Sequence, residues 1–180
     1  MNYHLLKAIN GWSGNGAVDA VMKFVAQDLI FIVFALFAIT CAITLRRRKL
    51  APLLAACAAL ALAFLLGLAA AAVYSEKRPF TTHPALHRLI SHGAGQSFPS
   101  DHATAAFAIA LATFAFLSLR WGGLFFIAAA LIGFARVYAG IHYPGDVLGS
   151  FVVALVAVAI VGATSMALGR RVLLRPRLMR

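Results

Sequence analysis

Five long stretches without Lys, Arg, Asp or Glu limit what this chain of 180 residues can fold into. They are 15 to 26 residues long, and a bilayer core of about 30 Å is crossed by about 20 helical residues. In lipid, helices and closed barrels satisfy their backbone hydrogen bonds, and these stretches lack the alternation of barrel strands. The sequence therefore predicts an all-α bundle that crosses a membrane repeatedly. The stretches are 29–45, 50–75, 102–119, 121–135 and 147–169.

The first 27 residues are predicted to lie apart from these spans. Lys7 and the glycine-rich run 11–16 interrupt the first apolar stretch too early for a signal-peptide core. Two short amphipathic helices, 3–10 and 17–27, are expected, the second of them at the membrane interface or against the bundle, the alternative being a short sixth span. The fold class is thus a polytopic membrane bundle of five or six transmembrane helices. We expect one domain, 1–180, with 1–27 interfacial.

The net charge of +11 is distributed unevenly along the chain. When five spans are threaded through the membrane, ten of the 16 basic residues fall on one side, with no acidic residue among them. The positive-inside rule makes that side cytoplasmic. The basic tail 170–180 is therefore predicted to be cytoplasmic, and no nucleic-acid partner is expected. All five acidic residues and all six histidines fall on the external half.

Three polar motifs lie at the external ends of the predicted spans: 77–80, 98–102 and 136–146. Charged and imidazole side chains are costly near lipid and mark functional sites. Arg78 and Arg136 are suited to bidentate binding of phosphate oxygens. Ser100 is predicted to cap the third span, leaving backbone N–H groups that attract anions at the helix start. The motifs together predict a phosphate-binding pocket.

These motifs resemble the signatures of the type-2 phosphatidic acid phosphatase superfamily of membrane lipid phosphatases. Residues 136–146 reproduce the spacing of Arg, His and Asp in its third signature, and 99–102 match the second with Asp101 in place of Gly. Arg78 and Pro79 match the end of the first, whose Lys would fall at Ala71. From Met1 to about Leu155 the chain is similar to one branch, the bacitracin-resistance type of undecaprenyl-diphosphatases of Gram-positive bacteria.

The resemblance implies a role for each candidate residue. His142 would be the nucleophile that forms a phosphohistidine, Asp146 would orient it, and His102 would be the general acid. The expected phosphate-binding residues are Lys77, Arg78, Ser100, Asp101 and Arg136, with Glu76 as a further candidate and His92 and Arg88 as candidates for the rim.

The implied function is hydrolysis of undecaprenyl diphosphate to undecaprenyl phosphate and phosphate at the outer leaflet of a bacterial cell membrane. This would recycle the cell-wall lipid carrier and confer bacitracin resistance. The expected partners are the polyprenyl diphosphate lipid and the bilayer, without cofactor or metal, and the oligomeric state stays open. The alternatives are a phosphatidate or phosphatidylglycerophosphate phosphatase, a haem- or metal-binding membrane protein with His102 and His142 as axial ligands, and an antibiotic-export subunit.

Overall fold

The structure, a computed structural model, describes the backbone of residues 2–174 and the side chains of residues 2–168. Over this part of the chain every regular element is helical, which confirms the predicted all-α class. The elements in order are α1 (Asn2–Asn10), α2 (Gly16–Gln27), α3 (Leu29–Arg46), α4 (Leu50–Val73), α5 (Pro79–Thr82), α6 (Asp101–Ala112), a π-helical segment (Thr113–Leu117), α7 (Leu119–Tyr138) and α8 (Pro144–Leu174).

Five helical stretches correspond to the five predicted spans. Helices α3, α4 and α7 and the Pro144–Leu168 part of α8 are long and apolar enough to cross a membrane, and Asp101–Leu117 is a shorter apolar helix. Helix α2 has 12 residues, about 18 Å at 1.5 Å per residue, so it is too short to be a sixth span. Of the predicted basic tail, residues 175–180 lie outside the described residues.

Helix α6 lies at the centre of the bundle, between α4, α7 and α8. Eight of its 12 residues are buried, and most of these are alanines. Lipid tails are as apolar as leucine, so helices in a membrane associate through close packing of small residues. The alanines of α6 allow its neighbours to approach closely, and its first turn is thereby fixed at one end of the bundle.

Helix α1 packs against this same end of the bundle, on α7 and α8. Asn10 is buried, and its Nδ2 donates to the carbonyl oxygens of His87 and Tyr138, both at 2.8 Å. Its Oδ1 accepts from the backbone N–H of His87 at 2.9 Å. Gly140 follows with φ +73°, where a Cβ would lie 2.9 Å from the carbonyl oxygen of His87, so only glycine fits. Asn10 therefore ties the loop between α5 and α6 to the end of α7.

Candidate active site

A buried histidine–aspartate pair lies where α7 connects to α8. His142 is 1% exposed and Asp146, in the first turn of α8, is fully buried. The ring Nδ1 of His142 lies 3.2 Å from Oδ2 of Asp146. The same oxygen accepts from the backbone N–H of Tyr143 at 2.8 Å and from the hydroxyl of Ser97 at 2.5 Å. This arrangement places the ring proton on Nδ1 and leaves Nε2 with a free lone pair.

Two arginines converge on that lone pair. Nη1 of Arg78 lies 3.0 Å and Nη2 of Arg136 lies 3.3 Å from Nε2 of His142. Backbone carbonyls orient both guanidiniums, Ile141 for Arg78 and Ala26 for Arg136, each at 3.3 Å. Both arginines are more than nine-tenths buried. Their N–H groups therefore point to the place where the oxygens of a phosphoryl group attached to Nε2 would lie.

The electrostatics of this pocket favour an anionic ligand. Among residues 2–168, neither Arg78 nor Arg136 forms a salt bridge, although buried charges are normally paired. Burial lowers the pKa of Arg78, and the charges of Asp101 and Asp146 partly oppose this. Burial also lowers the pKa of His142, against the hydrogen bond that its Nδ1–H donates to Asp146, which raises it. The imidazole is thus neutral at neutral pH, as a nucleophile must be.

Ser100 lies beside the pocket at the start of α6. It occupies the predicted N-cap position, but its side chain makes no capping hydrogen bond. Its own N–H donates to Oγ of Ser150 at 3.0 Å, so this amide is not one of the free N–H groups expected at the helix start. Ser150 accepts this hydrogen bond because α8 packs directly on the start of α6. Among the described residues, the Ser100 hydroxyl is buried without a hydrogen-bond partner.

Within residues 2–168, the side chains of the other predicted residues form no hydrogen bond with His142, and the structure shows no contact of the Lys77 side chain with the pocket. His102 is half-buried, and the charged groups of Arg136, His92 and Arg78 lie close enough to interact with its ring electrostatically. Its side chain forms no hydrogen bond within the described residues. Asp101 and Lys77 are exposed, and the backbone of Lys77 pairs with Gln96. Glu76 is half-buried; its partial burial and the charge of Asp146 raise its pKa.

Ser97 and Ser150 belong to the site but were not predicted from the sequence. Ser97 is fully buried against Asp146, yet in the sequence it is one serine among several in a polar loop. Ser150 follows Asp146 by one helical turn, and its hydroxyl lies 2.8 Å from the carbonyl oxygen of Asp146. This spacing of four residues places Ser150 on the same helix face as Asp146, and it was the one indication of its role in the sequence. His92, predicted for the rim, lies with Nε2 3.3 Å from Nη2 of Arg136.

An apolar cavity of about 430 Å³ begins next to this pocket. It extends between α3, α4 and α6, and Pro99 and Asp101 line it at the pocket end. Thr104, whose buried hydroxyl has no partner, also lines it. Its volume is typical of small-molecule sites, and its walls suit hydrocarbon. Other lining residues are Phe34, Leu60, Phe64 and Gly67.

The donors at this site do not form a metal centre. Within the described part of the chain, no three His, Cys, Asp or Glu side chains are grouped so that they could hold a metal ion. Nε2 of His142 is approached by two guanidinium cations instead. A phosphate group suits such donors, and a cation would be repelled by them.

Comparisons with known proteins identify similar chains. The family model described as the PAP2 superfamily matches residues 52–170. The chain is 41% identical over 163 residues to a Bacillus subtilis (strain 168) protein named undecaprenyl-diphosphatase BcrC. The aligned residues cover 87% of this chain and 80% of the Bacillus protein. It is 30% identical over 159 residues to the putative undecaprenyl-diphosphatase YbjG of Escherichia coli (strain K12), covering 87% and 78%. The crystal structure of Aquifex aeolicus LpxE has the same fold, with a TM-score of 0.73, 23% identity, and coverage of 89% of this chain and 93% of that one.

Proposed function

This chain belongs to the PAP2 superfamily, and we propose that it is a membrane phosphatase that converts undecaprenyl diphosphate to undecaprenyl phosphate and inorganic phosphate. The observation that carries the proposal is the convergence of Arg78 and Arg136 on the unprotonated Nε2 of buried His142. The names of the Bacillus and Escherichia relatives support the choice of substrate. The polar groups alone would accept the terminal phosphate of other lipids too.

In the first step, Nε2 of His142 attacks the terminal phosphorus. The N–P bond forms while the bond from phosphorus to the bridging oxygen breaks, and undecaprenyl phosphate leaves. His102 gives a proton to the departing oxygen. Asp146 accepts a hydrogen bond from Nδ1–H of His142 and stabilises the positively charged imidazole that forms. Arg78 and Arg136 move their N–H groups from Nε2 to the phosphoryl oxygens, whose charge they stabilise.

In the second step, water attacks the phosphohistidine. His102, now neutral, removes a proton from the water. The N–P bond breaks, its electron pair returns to Nε2 of His142, and inorganic phosphate leaves. The unpartnered hydroxyl of Ser100 donates to a phosphoryl oxygen in both steps. Apart from the substrate and the water, every group that acts in these two steps is a side chain of this protein.

The apolar cavity supports a lipid substrate. It begins at Pro99 and Asp101, beside the first turn of α6 that carries His102. A volume of about 430 Å³ is too small for a whole undecaprenyl tail, so the cavity would hold the isoprene units nearest the diphosphate. The rest of the tail would lie in the bilayer around the helices.

The decisive experiment measures phosphate release by the purified protein in detergent with a chelator present. Wild type should hydrolyse undecaprenyl diphosphate faster than phosphatidate or phosphatidylglycerophosphate. His142→Ala should abolish the reaction, and His102→Ala should slow it by about 10²–10⁴-fold. His87→Ala, a matched change of an exposed histidine outside the pocket, should be as active as wild type.

Substrate labelled on the terminal phosphate tests the intermediate. After rapid quenching at alkaline pH, wild type should retain label on the protein and His142→Ala should retain none. Full activity in His142→Ala, or loss of wild-type activity on chelation, would contradict the mechanism. If phosphatidate or phosphatidylglycerophosphate were hydrolysed faster than undecaprenyl diphosphate, the proposed mechanism would still hold, but the proposed substrate would be wrong.

We place the active site at the outer leaflet and the C-terminus in the cytoplasm, because the basic residues gather at the opposite ends of the spans. Single cysteines at Ser91 and Arg47, in a chain with Cys41 and Cys57 changed to alanine, test this orientation. In intact cells a membrane-impermeant maleimide should label position 91 and spare position 47. The reverse pattern would refute the orientation.

Bacitracin resistance should follow from this activity. Bacitracin binds undecaprenyl diphosphate, so an enzyme that hydrolyses this lipid outside the membrane removes the target. Cells that express wild type should tolerate more bacitracin than cells that express His142→Ala at the same level. Equal tolerance would contradict a role at the outer leaflet.

A further inference from the structure

His92 is a third imidazole at the mouth of the pocket, beyond His142 and His102. Its Nε2 lies 3.3 Å from Nη2 of Arg136. Its ring centroid is 6.5 Å from that of His142, with the ring planes nearly perpendicular at 79°. It is half-buried. His92 and His142 therefore approach the same guanidinium group of Arg136.

The backbone that carries His92 is held in place by Arg88. Nη2 of Arg88 donates to the carbonyl oxygen of His92 at 2.5 Å, and its Nε donates to that of Ile90 at 3.0 Å. The guanidinium also stacks on Phe80, 4.2 Å from the ring centroid. Three contacts thus fix the position of the imidazole at the pocket.

The hydrogen bonds of the His92 ring fit its neutral form. Nδ1 lies 3.4 Å from the carbonyl oxygen of Gly93, so it carries the proton, and Nε2 accepts from Arg136. Burial lowers the pKa of His92, and the charges of Arg78, Arg136 and Arg88 lower it further. The titratable and charged groups that face it are these arginines and the imidazoles of His102 and His142.

An anion in the pocket changes this balance. When the N–H groups of Arg136 turn to a phosphate, the lone pair on Nε2 of His92 faces oxygen atoms that are also acceptors. This contact is repulsive unless a proton lies between them, and the negative charge of the ligand favours protonation. Resting on the proposed function, we propose that His92 is a phosphate-binding residue that takes up a proton when substrate enters and donates it to a phosphate oxygen.

The advantage of such a residue is that its charge appears only when needed. Without an anion bound, a permanent cation at position 92 would lie beside two buried guanidiniums, a costly arrangement. A neutral imidazole avoids that repulsion and still adds a charged donor in the filled pocket. The proton comes from solvent or from a protonated oxygen of the diphosphate itself.

Calorimetric binding of tungstate at about pH 7.5 tests this role. Tungstate is a tetrahedral dianion whose charge is constant near neutral pH, so proton uptake measured in buffers of different ionisation enthalpy reports on the protein. His92→Gln should bind tungstate roughly tenfold more weakly and take up fewer protons than wild type, by up to about one. His87→Gln, the same change at an exposed histidine of the same loop, should match wild type in both measurements.

Unchanged affinity and proton uptake in His92→Gln would overturn the proposal. Weaker binding with unchanged proton uptake would overturn it as well, because it would show that His92 only positions Arg136. The test is independent of the lipid that is hydrolysed. If wild type were to prefer phosphatidate, the proposed function would fail, whereas the tungstate result would still decide the role of His92.

Discussion

Replacing Ser97 with alanine should separate orientation of the nucleophile from its chemistry. The hydroxyl of Ser97 donates to Oδ2 of Asp146 at 2.5 Å, and both side chains are fully buried. A hydrogen bond to a charged group contributes about 1.5–3 kcal/mol. Without it, Oδ2 keeps the N–H of Tyr143 and the ring of His142, and Oδ1 already lacks a partner. The carboxylate would be held less firmly under the imidazole.

If this whole free energy is lost from the transition state, kcat/KM for undecaprenyl diphosphate should fall by roughly 10- to 100-fold, at about 1.4 kcal/mol per factor of ten. Phosphate release is measured at a temperature where circular dichroism shows the variant to be folded. Ser91→Ala, an exposed serine of the same loop, should retain the wild-type rate.

A double-mutant cycle with Asp146→Asn identifies the route of the effect. If Ser97 acts through Asp146, removing its hydroxyl in the Asp146→Asn chain should cost little more. A kcat/KM of Ser97→Ala within twofold of wild type, or an equal loss in both backgrounds, would refute the reasoning.

Three further predictions follow from the geometry of the site. Because burial lowers the pKa of His142 and its neutral form attacks, the acidic limb of the kcat/KM profile should have its midpoint below about pH 6.5, the usual histidine pKa; an acidic limb with its midpoint above this pH would contradict it. Gly149→Ala would place Cβ 2.2 Å from Cε2 of Phe98, so we expect about 1–3 kcal/mol of destabilisation and reduced activity. Gly123→Ala, which meets open space within α7, should not lower thermal stability, because alanine favours the helix more than glycine does. Arg136→Lys should lower kcat by about 10²–10³-fold, since an ammonium group cannot replace the planar fork; a rate near wild type in steady-state assays would argue against bidentate binding.

The arrangement of the spans was predictable because lipid imposes a simple rule on sequence. Uncharged stretches of sufficient length must be helices, and successive spans must alternate in direction. This alternation alone brought 77–80, 98–102 and 136–146 to one end of the bundle. The N-terminal helices were predicted within one residue of the observed α1 and α2, because an asparagine and a glycine-rich run mark their ends.

The finer contacts of the site were not predictable for identifiable reasons. The carbonyl of Ala26 accepts from Arg136, but every residue has a carbonyl, so the sequence contains no signal for it. Ser100 has the right type and place for a cap, yet Ser150 competes for its amide from a helix that is distant in sequence. The π-helical segment Thr113–Leu117 lies opposite Gly122, where a Cβ would be 2.4 Å from Cα of Phe114. Such tertiary packing is absent from local propensity.

Arg78 and Arg136, which form no salt bridge among residues 2–168, link the stability of the fold to anion binding. Any ligand that binds the folded chain alone stabilises it by mass action, by about 2.7 kcal/mol at a hundred times its dissociation constant. A tetrahedral oxyanion between Arg78 and Arg136 would relieve their mutual repulsion and provide this gain. The folded chain should therefore resist thermal unfolding and proteolysis better when such an anion is bound.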